Sequence, residues 1–445
     1  MRIQQFVVDS LGDASYMVIA GSEAAVIDPQ RDVRPFLEAA RAAGAEIRYV
    51  FETHVHNDYV SGGPELAARG AEIVAPAEAR LEFPHRAVRD GDEVAFGGIR
   101  LRAVHAPGHT YEHTAYLVID EEGKVAGAFT GGAILMAAAG RTDLLGPDHT
   151  EELTRLQWET AHRLAGLLDP SAEVLPTHGA GSFCSSAGIG GDRRAPLSVE
   201  LQRNPILTSP SYEAFRALHL ASPAPIPAYY QHMAPINRRG AEVYGEPPVP
   251  PLLHPEAVRE FAWAQRLIDV RARSDFVLAS VPGAFEVEES NSMLAYLSWL
   301  VPFNAPLALI TYDEAQARRV TTDLFRIGFE RVRGYLPFAR WLDANLETAS
   351  LPTVSVSEAA EILRVGKMPV LDVRHRNELA ADPLPGALQH PFEDIARWAE
   401  DVPKGPLLLV CASGQRATIA ASFLRTLRHD AIPLLHGGAA DIRAK

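Results

Sequence analysis

Short apolar runs that stop abruptly at polar or Gly/Pro-containing turns dominate the first two hundred positions. Residues 24–27 (Ala-Ala-Val-Ile) end at Asp28, and residues 49–53 (Tyr-Val-Phe-Glu-Thr) run into His-Val-His-Asn-Asp58. Residues 99–104 precede Ala106-Pro-Gly-His-Thr110, and Val174-Leu175 precede Pro-Thr-His-Gly179. Apolar runs of this length, bounded by turn residues, read as buried strands with loops at their ends. The pattern changes over residues 203–255, where Asn204-Pro205, Ser209-Pro210, Ser222-Pro223 and Pro247-Pro-Val-Pro-Pro251 predict a connector, partly helical around residues 211–220 and extended at its end. Beyond it the chain repeats. Leu267-Ile-Asp-Val-Arg271 is echoed by Val370-Leu-Asp-Val-Arg374, and Pro306-Leu-Ala-Leu-Ile-Thr311 by Pro406-Leu-Leu-Leu-Val-Cys411, with helical stretches at residues 314–325 and 415–427. Strand, helix, strand, helix in each copy predicts two small parallel-sheet α/β domains. The expected boundaries are 1–202, a connector at 203–255, and repeats at 256–347 and 352–445.

The polar ends of the first strands carry the chemistry. In Thr53-His-Val-His-Asn-Asp58, two imidazoles and a carboxylate recur at every second residue just past a strand, where a loop can converge side chains on one point. His109 and His178 sit in equivalent turns. The neutral imidazoles of His54, His56 and His109 suit zinc and also iron or copper, and Asp58 and His178 are further candidate ligands.

The second repeat is chemically distinct from the first. Cys411-Ala-Ser-Gly-Gln-Arg416 joins a buried strand to a helix, which aims backbone N–H groups and a helix dipole at the sulfur. Such a cradle is expected to lower the thiol pKa and hold a thiolate or persulfide, with Arg416 adding positive charge for an anionic donor. The first repeat carries Thr311 at the matching place and is expected to be inert. Cys184 reads equally as a sulfur relay or as a packed apolar residue.

The five motifs at Asp28, residues 53–58, His109, residues 129–132 and His178 resemble, in order, those of the metallo-β-lactamase superfamily. The second repeat, and more faintly the first, resembles a rhodanese domain with its Cys-x-x-Gly-x-Arg loop. Together they resemble the persulfide dioxygenase and rhodanese fusion proteins of bacterial sulfide handling, as do Arg141-Thr-Asp-Leu144, the His-Gly-Ala-Gly-Ser-Phe-Cys184 turn and Asn237-Arg-Arg-Gly240. The resemblance implies an αββα sandwich followed by two rhodanese-like domains, and one divalent metal per chain. Ferrous iron is favoured by the family, zinc by the three-histidine set. It also implies oxidation of a low-molecular-weight thiol persulfide by O₂ to sulfite, with Cys411 exchanging sulfane sulfur with thiosulfate. Asp28 is expected to orient a ligand histidine from behind; Tyr59, Arg141 and Cys184 are candidates for supporting or substrate-binding roles.

Two departures from the family stand out. Where its strand ends Phe-Thr-Gly-Asp, this chain reads Phe129-Thr-Gly-Gly132, and Tyr59 replaces a histidine. Both changes dismantle the second metal site and favour a single-metal centre, and restoring aspartate at position 132 is expected to tighten ferrous binding. A metal-dependent thioester hydrolase, and a sulfurtransferase with a weakened metal domain, stay open as alternatives.

Composition narrows the partners. A formal charge of −14 over 445 residues disfavours nucleic acid and anionic membranes; the partners expected, a thiol persulfide, thiosulfate or sulfite, are those the resemblance implies. Two cysteines cannot build a disulfide framework, and no apolar leader or spanning stretch is read, so a cytoplasmic location is expected, with homo-oligomer formation left open.

Overall fold

In the computed structural model, residues 1–179, 181–185, 192–221 and 223–445 are described. Ala180 of the His178–Cys184 turn and Ser222 of the connector lie outside them. The chain divides into two compact units, the first comprising residues 1–247 and 326–328 and the second the remainder.

The first unit is built on two six-stranded sheets. One runs Arg2–Val8, Asp13–Ala20, Glu23–Ile27, Glu46–Phe51, Glu72–Pro76 and Arg86–Val88; the other runs Ala195–Pro196, Glu173–Pro176, Val125–Gly131, Thr114–Ile119, Ile99–His105 and Glu93–Phe96. Strand Asp13–Ala20 is buried at every position, because both of its faces are covered. Tyr16 and Val18 point into the core between the sheets, with Phe51, Tyr116, Phe129 and Leu175. Met17 and Ile19 point to the outer face, where Phe36 and Ala40 of helix Arg34–Ala43 cover them. On the other side, helix Pro147–Leu167 packs Ala161 and Leu164 over the second sheet. Ile206 and Phe215 join that cluster, so the first part of the segment read as a connector packs into this unit. The result is the expected αββα sandwich.

The second unit contains two four-stranded sheets with the same strand order. In the first copy Phe285–Glu286, Leu267–Asp269, Leu307–Thr311 and Val332–Pro337 lie side by side; in the second, Leu388–Gln389, Val370–Asp372, Pro406–Val410 and Asp430–Pro433 do. Every pairing is parallel. Asp269 registers with Ile310 and Asp372 with Val410, so Thr311 and Cys411 are structurally equivalent. Among the described residues, no helix is long and apolar enough to cross a membrane.

The inter-sheet core holds the strand ends in place. Phe129 is 1% exposed and its ring centroid lies 5.3 Å from that of Tyr16. Phe129→Ala is expected to cost about 3–5 kcal/mol of unfolding free energy, read from denaturant titration of the full chain.

Candidate metal centre and thiol loop

Strand ends from both sheets deliver the polar residues to one place. Asp28 follows strand Glu23–Ile27 in a left-handed conformation (φ 49°), which aims its carboxylate across the neighbouring loops. Its Oδ1 accepts from Thr53 N at 2.7 Å, and its Oδ2 accepts from Thr53 Oγ1 at 2.8 Å and from Thr177 Oγ1. One buried carboxylate thereby ties the residue before His54 to the residue before His178.

Three imidazoles are fixed in the same tautomer by what stands behind them. Thr53 Oγ1 spends its hydrogen on Asp28, so its contact with His54 Nδ1 at 2.8 Å makes that nitrogen the donor. His109 Nδ1 donates to the Arg141 carbonyl at 2.7 Å. His178 Nδ1 lies 3.0 Å from Asp13 Oδ1 and 3.2 Å from Asp58 Oδ2. All three rings therefore turn Nε2 inward, and all are buried. The Nε2 atoms of His54 and His178 are 3.4 Å apart, and His109 Nε2 is buried without a partner. Each of the three residues offers a ligand atom within 4.8 Å of the others. Two nitrogens on a tetrahedral cation with bonds of about 2.1 Å stand roughly 3.4 Å apart, so the donor set fits zinc or another divalent ion. Burial and the neighbouring imidazoles hold His54 and His109 well below the usual histidine range, which keeps those lone pairs free. At His178 burial pulls the same way, but Asp58 and Asp13 outweigh it and raise the ring to about 10.

The His56 ring lies 4.2 Å from that of His54 with its Nδ1 buried and unpartnered, and its Nε2 points the other way. Its Nε2 is 3.3 Å from Asp28 Oδ1, 3.3 Å from Glu52 Oε2 and 3.1 Å from the Tyr59 hydroxyl. Burial opposes its charge, but Asp28 and Glu52 prevail and raise it well above the usual range. Tyr59 stacks on this ring at 4.4 Å and donates to the Asp28 carbonyl, so it packs behind the site. Besides the first triple, His56, Asp58 and His178 form a second and Asp28, Glu52 and His56 a third. The third is already an internal ion pair.

The Gly132 turn is closed to any side chain. A Cβ there would stand 2.5 Å from His109 Cδ2, one on Gly140 2.9 Å from His109 Nδ1, and one on Gly131 2.3 Å from His113 Nε2. Gln157 of helix Pro147–Leu167 holds this backbone, donating to the carbonyls of Gly132 and Ala133 at 2.8 and 2.9 Å. Position 132 has thus become a seat for the His109 ring, which corrects the expectation that aspartate there would simply restore a ligand. His113 accepts from Gly132 N at 2.9 Å, as a support.

Arg141 pairs with both Asp143 oxygens at 2.6 and 2.7 Å and donates to the Phe183 carbonyl at 3.0 Å. Its carbonyl braces the His109 ring, and with Thr142, Asp143 and His219 it lines a second, small pocket. Cys184 is buried, its Sγ is 3.7 Å from the Tyr230 hydroxyl, and burial pushes its thiol well up. A pocket walled by Pro76, Leu81 and Phe83 ends on Glu52, His54 and His56.

Several residues to which pattern reading gave no role complete the site. Asp13, Glu52 and Gln157 sit inside or beside apolar runs with no motif to mark them, whereas Thr53 and Asn237 stand in quoted motifs without an assigned contact. Asn237 of helix Tyr230–Arg239 donates to the carbonyls of His56 and Tyr59 at 2.9 and 2.8 Å, and accepts from Ser61 N at 2.9 Å. Its role is to clamp the histidine loop.

In the second unit Cys411 ends strand Pro406–Val410 and is buried. Gly414 (φ 89°) turns its N–H onto the Cys411 sulfur at 3.1 Å, and helix Gln415–Thr426 starts behind it. Arg416 is paired with Glu378, 3.0 Å from Oε1, so its charge is shared. In the first copy Gln316, at the place of Arg416, accepts from Tyr312 N at 2.8 Å, and Thr311 donates to the Asp313 carbonyl at 3.0 Å. That loop is filled from within and carries no thiol. The first copy instead contributes Tyr296 and Trp299, whose rings pack 5.2 Å from Phe392 and 5.5 Å from His375 of the second.

Residues 6–192 match the Metallo-beta-lactamase superfamily model, and residues 355–445 match that of the Rhodanese-like domain. A hydroxyacylglutathione hydrolase of Acidiphilium cryptum is 31% identical over 225 residues, 46% of this chain and 90% of the relative. The chain belongs to the metallo-beta-lactamase superfamily. It joins that domain to a carboxy-terminal rhodanese-like domain. A hydroxyacylglutathione hydrolase of Gloeobacter violaceus is 43% identical over 101 residues, 22% of this chain and 40% of that one. The crystal structure of a metallo-beta-lactamase from Staphylococcus aureus subsp. aureus COL matches with a TM-score of 0.68 at 24% identity, over 76% of this chain and 99% of that chain. That likeness is one of fold.

Two outcomes are expected. Gly132→Asp should lower metal content per folded chain and cost about 1–3 kcal/mol from overpacking against His109, read by elemental analysis and thermal melting; a gain in bound iron would refute the steric account. Asn237→Ala strands two buried carbonyls and an N–H and should cost about 1–3 kcal/mol, measured by denaturant unfolding.

Proposed function

We propose that the protein is a single-metal sulfur-handling enzyme in which the amino-terminal domain oxidises a low-molecular-weight thiol persulfide with O₂, and Cys411 exchanges sulfane sulfur. The observation that carries this reading is the union, in one chain, of a convergent three-imidazole site lacking the position-132 carboxylate with a glycine-cradled thiol. The balanced oxidation is RSSH + O₂ + H₂O → RSH + H₂SO₃. The exchange is thiosulfate plus the Cys411 thiolate giving the cysteine persulfide and sulfite.

His54, His109 and His178 would hold a divalent cation, which when bound supplies Lewis acidity and, if redox-active, oxygen activation. The protein's own residues set the stage. Thr53, the Arg141 carbonyl and Asp13 keep the three rings in the tautomer that presents Nε2. The walls of Pro76, Leu81 and Phe83 keep the approach apolar, which suits a poorly solvated sulfur terminus. At Cys411, Gly414 N–H stabilises charge on the sulfur as it attacks the donor, and sulfite leaves with the electron pair of the cleaved S–S bond.

A second reading has a specific observation behind it. The Acidiphilium relative bears the name hydroxyacylglutathione hydrolase, and a histidine triad suits zinc, which favours metal-assisted thioester hydrolysis. It leaves the rhodanese-like domain without a role. A third, sulfur transfer at Cys411 alone, corresponds to a chain that holds little metal.

Iron content with persulfide-dependent O₂ uptake supports the first reading; zinc with thioester cleavage and no O₂ uptake would overturn it. Cys411→Ser should reduce thiosulfate-to-cyanide sulfur transfer at least 100-fold with metal content unchanged, and transfer surviving in that variant would remove Cys411 from the reaction.

A further inference from the structure

We infer that the small pocket beside Arg141 is a second ligand site, in which His219 Nδ1 and the Asp143 carboxylate receive a primary ammonium group. Among the described residues it shares no wall with the pocket that ends on His54 and His56, and it does not rest on the function proposed above.

A chain of hydroxyls fixes the His219 tautomer. Thr154 Oγ1 donates to the Thr150 carbonyl at 2.7 Å, which uses its only hydrogen. Thr142 Oγ1, 2.7 Å from Thr154 Oγ1, is therefore the donor of that pair. With its own hydrogen spent, Thr142 can only accept across its 3.2 Å contact with His219 Nε2. Nε2 thus carries the hydrogen. Burial pulls this ring down to about 4 and keeps it neutral near physiological pH, so Nδ1 is left with an unshared lone pair. His219 is 7% exposed, and among the described residues its Nδ1 has no hydrogen-bond partner. A buried acceptor left open costs about 1–3 kcal/mol, and a donor in the pocket removes that cost.

Size and charge narrow the donor. The inner space is about 10 Å³, close to what a single water-sized group requires, and an ammonium is of that size. Asp143 stands beside His219 in the wall. Arg141 meets both of its oxygens at 2.6 and 2.7 Å, and each oxygen keeps a lone pair. Burial pushes Asp143 up, but Arg141 outweighs it and holds the carboxyl below its usual range. The Arg141–Asp143 pair is net neutral, so it leaves room for a cation, and the formal charge of −14 draws cations to the chain. A hydrogen bond to an ionised group contributes about 1.5–3 kcal/mol against about 0.5–1.5 for a neutral pair, which favours an ammonium over a hydroxyl or a water. Half-buried Leu220 and exposed Pro223 form an apolar mouth along which the carbon bonded to the nitrogen can leave.

The test follows His219 by nitrogen-15 NMR in the full-length chain labelled at histidine, its signal identified as the one missing from His219→Phe or His219→Gln. Nδ1 is expected to be unprotonated. Methylammonium chloride should shift it with half-saturation at about 10 mM, the scale two heavy atoms can reach. Potassium chloride, a cation of similar size with no hydrogen to give, and methanol, a donor without charge, should leave it in place up to about 100 mM. In Asp143→Asn, with thermal melting to certify folding, half-saturation should rise about 10-fold. A protonated Nδ1, no shift with methylammonium, or an equal shift with potassium or methanol would each overturn the inference and leave the pocket to water only; so would an unaltered response in folded Asp143→Asn. Should that variant not fold, methylammonium against methanol decides the same point, since only the former uses the carboxylate charge. Tighter binding of n-butylammonium identifies the amine end of a chain running out past Leu220, and equal binding a free small amine; either upholds the site. Metal and sulfur chemistry enter none of these readings, so the function proposed above stands or falls separately.

Discussion

Three imidazole nitrogens with unshared lone pairs, facing one another in a dry interior, repel unless a cation or a proton lies between them. The fold holds His54, His109 and His178 in this arrangement by placing a hydrogen-bond acceptor behind each ring: Thr53, the Arg141 carbonyl and Asp13. Each acceptor belongs to a different segment, so the geometry depends on the strand ends of two sheets staying in register. Asp28 is the tie between them, with its carboxylate shared by Thr53 and Thr177. Removing that carboxylate would free two ligand loops at once and strand the His56 cation beside Glu52.

The same centre shows how a change at one position is absorbed by its surroundings. A direct carboxylate ligand needs a Cβ at 132, and the ring of His109 occupies that space. Gln157 and Gly140 then stabilise the turn as a seat for the ring. The neighbouring His56, with Asp28, Glu52 and Tyr59 around it, becomes part of the wall. The segment past the sandwich completes this wall, since Asn237 satisfies backbone groups of the histidine loop that would otherwise be buried unpaired.

The two carboxy-terminal copies diverge for an equally local reason. They share strand order, parallel pairing and an Asp–Arg pair at the same register, Asp269 with Arg271 and Asp372 with Arg374. One loop leaves room for sulfur because Gly414 can adopt φ 89° and turn its N–H inward; the other is closed by Gln316 folding onto Tyr312 N. The silent copy keeps a part to play by supplying Tyr296 and Trp299 beside His375 and Phe392.

Apolar runs ending at polar turns were enough to read the strands of the first unit, the two parallel-sheet copies and the positions of His54, His109, His178 and Cys411, because strand periodicity and turn chemistry are local; the sandwich itself followed only from the family resemblance. The order of those motifs also pointed to the family, and the loss of the aspartate at 132 was plain in the chain. Which histidines share a centre was not. His54 and His56 are two residues apart, yet they face different partners, a choice made by Glu52 of the same segment and by Asp28 at the end of another strand. Asp13 has no local signature at all, and the Asn237-Arg-Arg-Gly240 element marks Asn237 without saying what it does: a carboxylate opening a strand, or an amide in a helix, acquires its role only when long-range packing carries it to a ring or a carbonyl. Sequence determined the inventory of donors and the strands that bear them. Tertiary structure decided their pairing, since hydrogen-bond satisfaction in a buried site is settled among residues far apart in the chain.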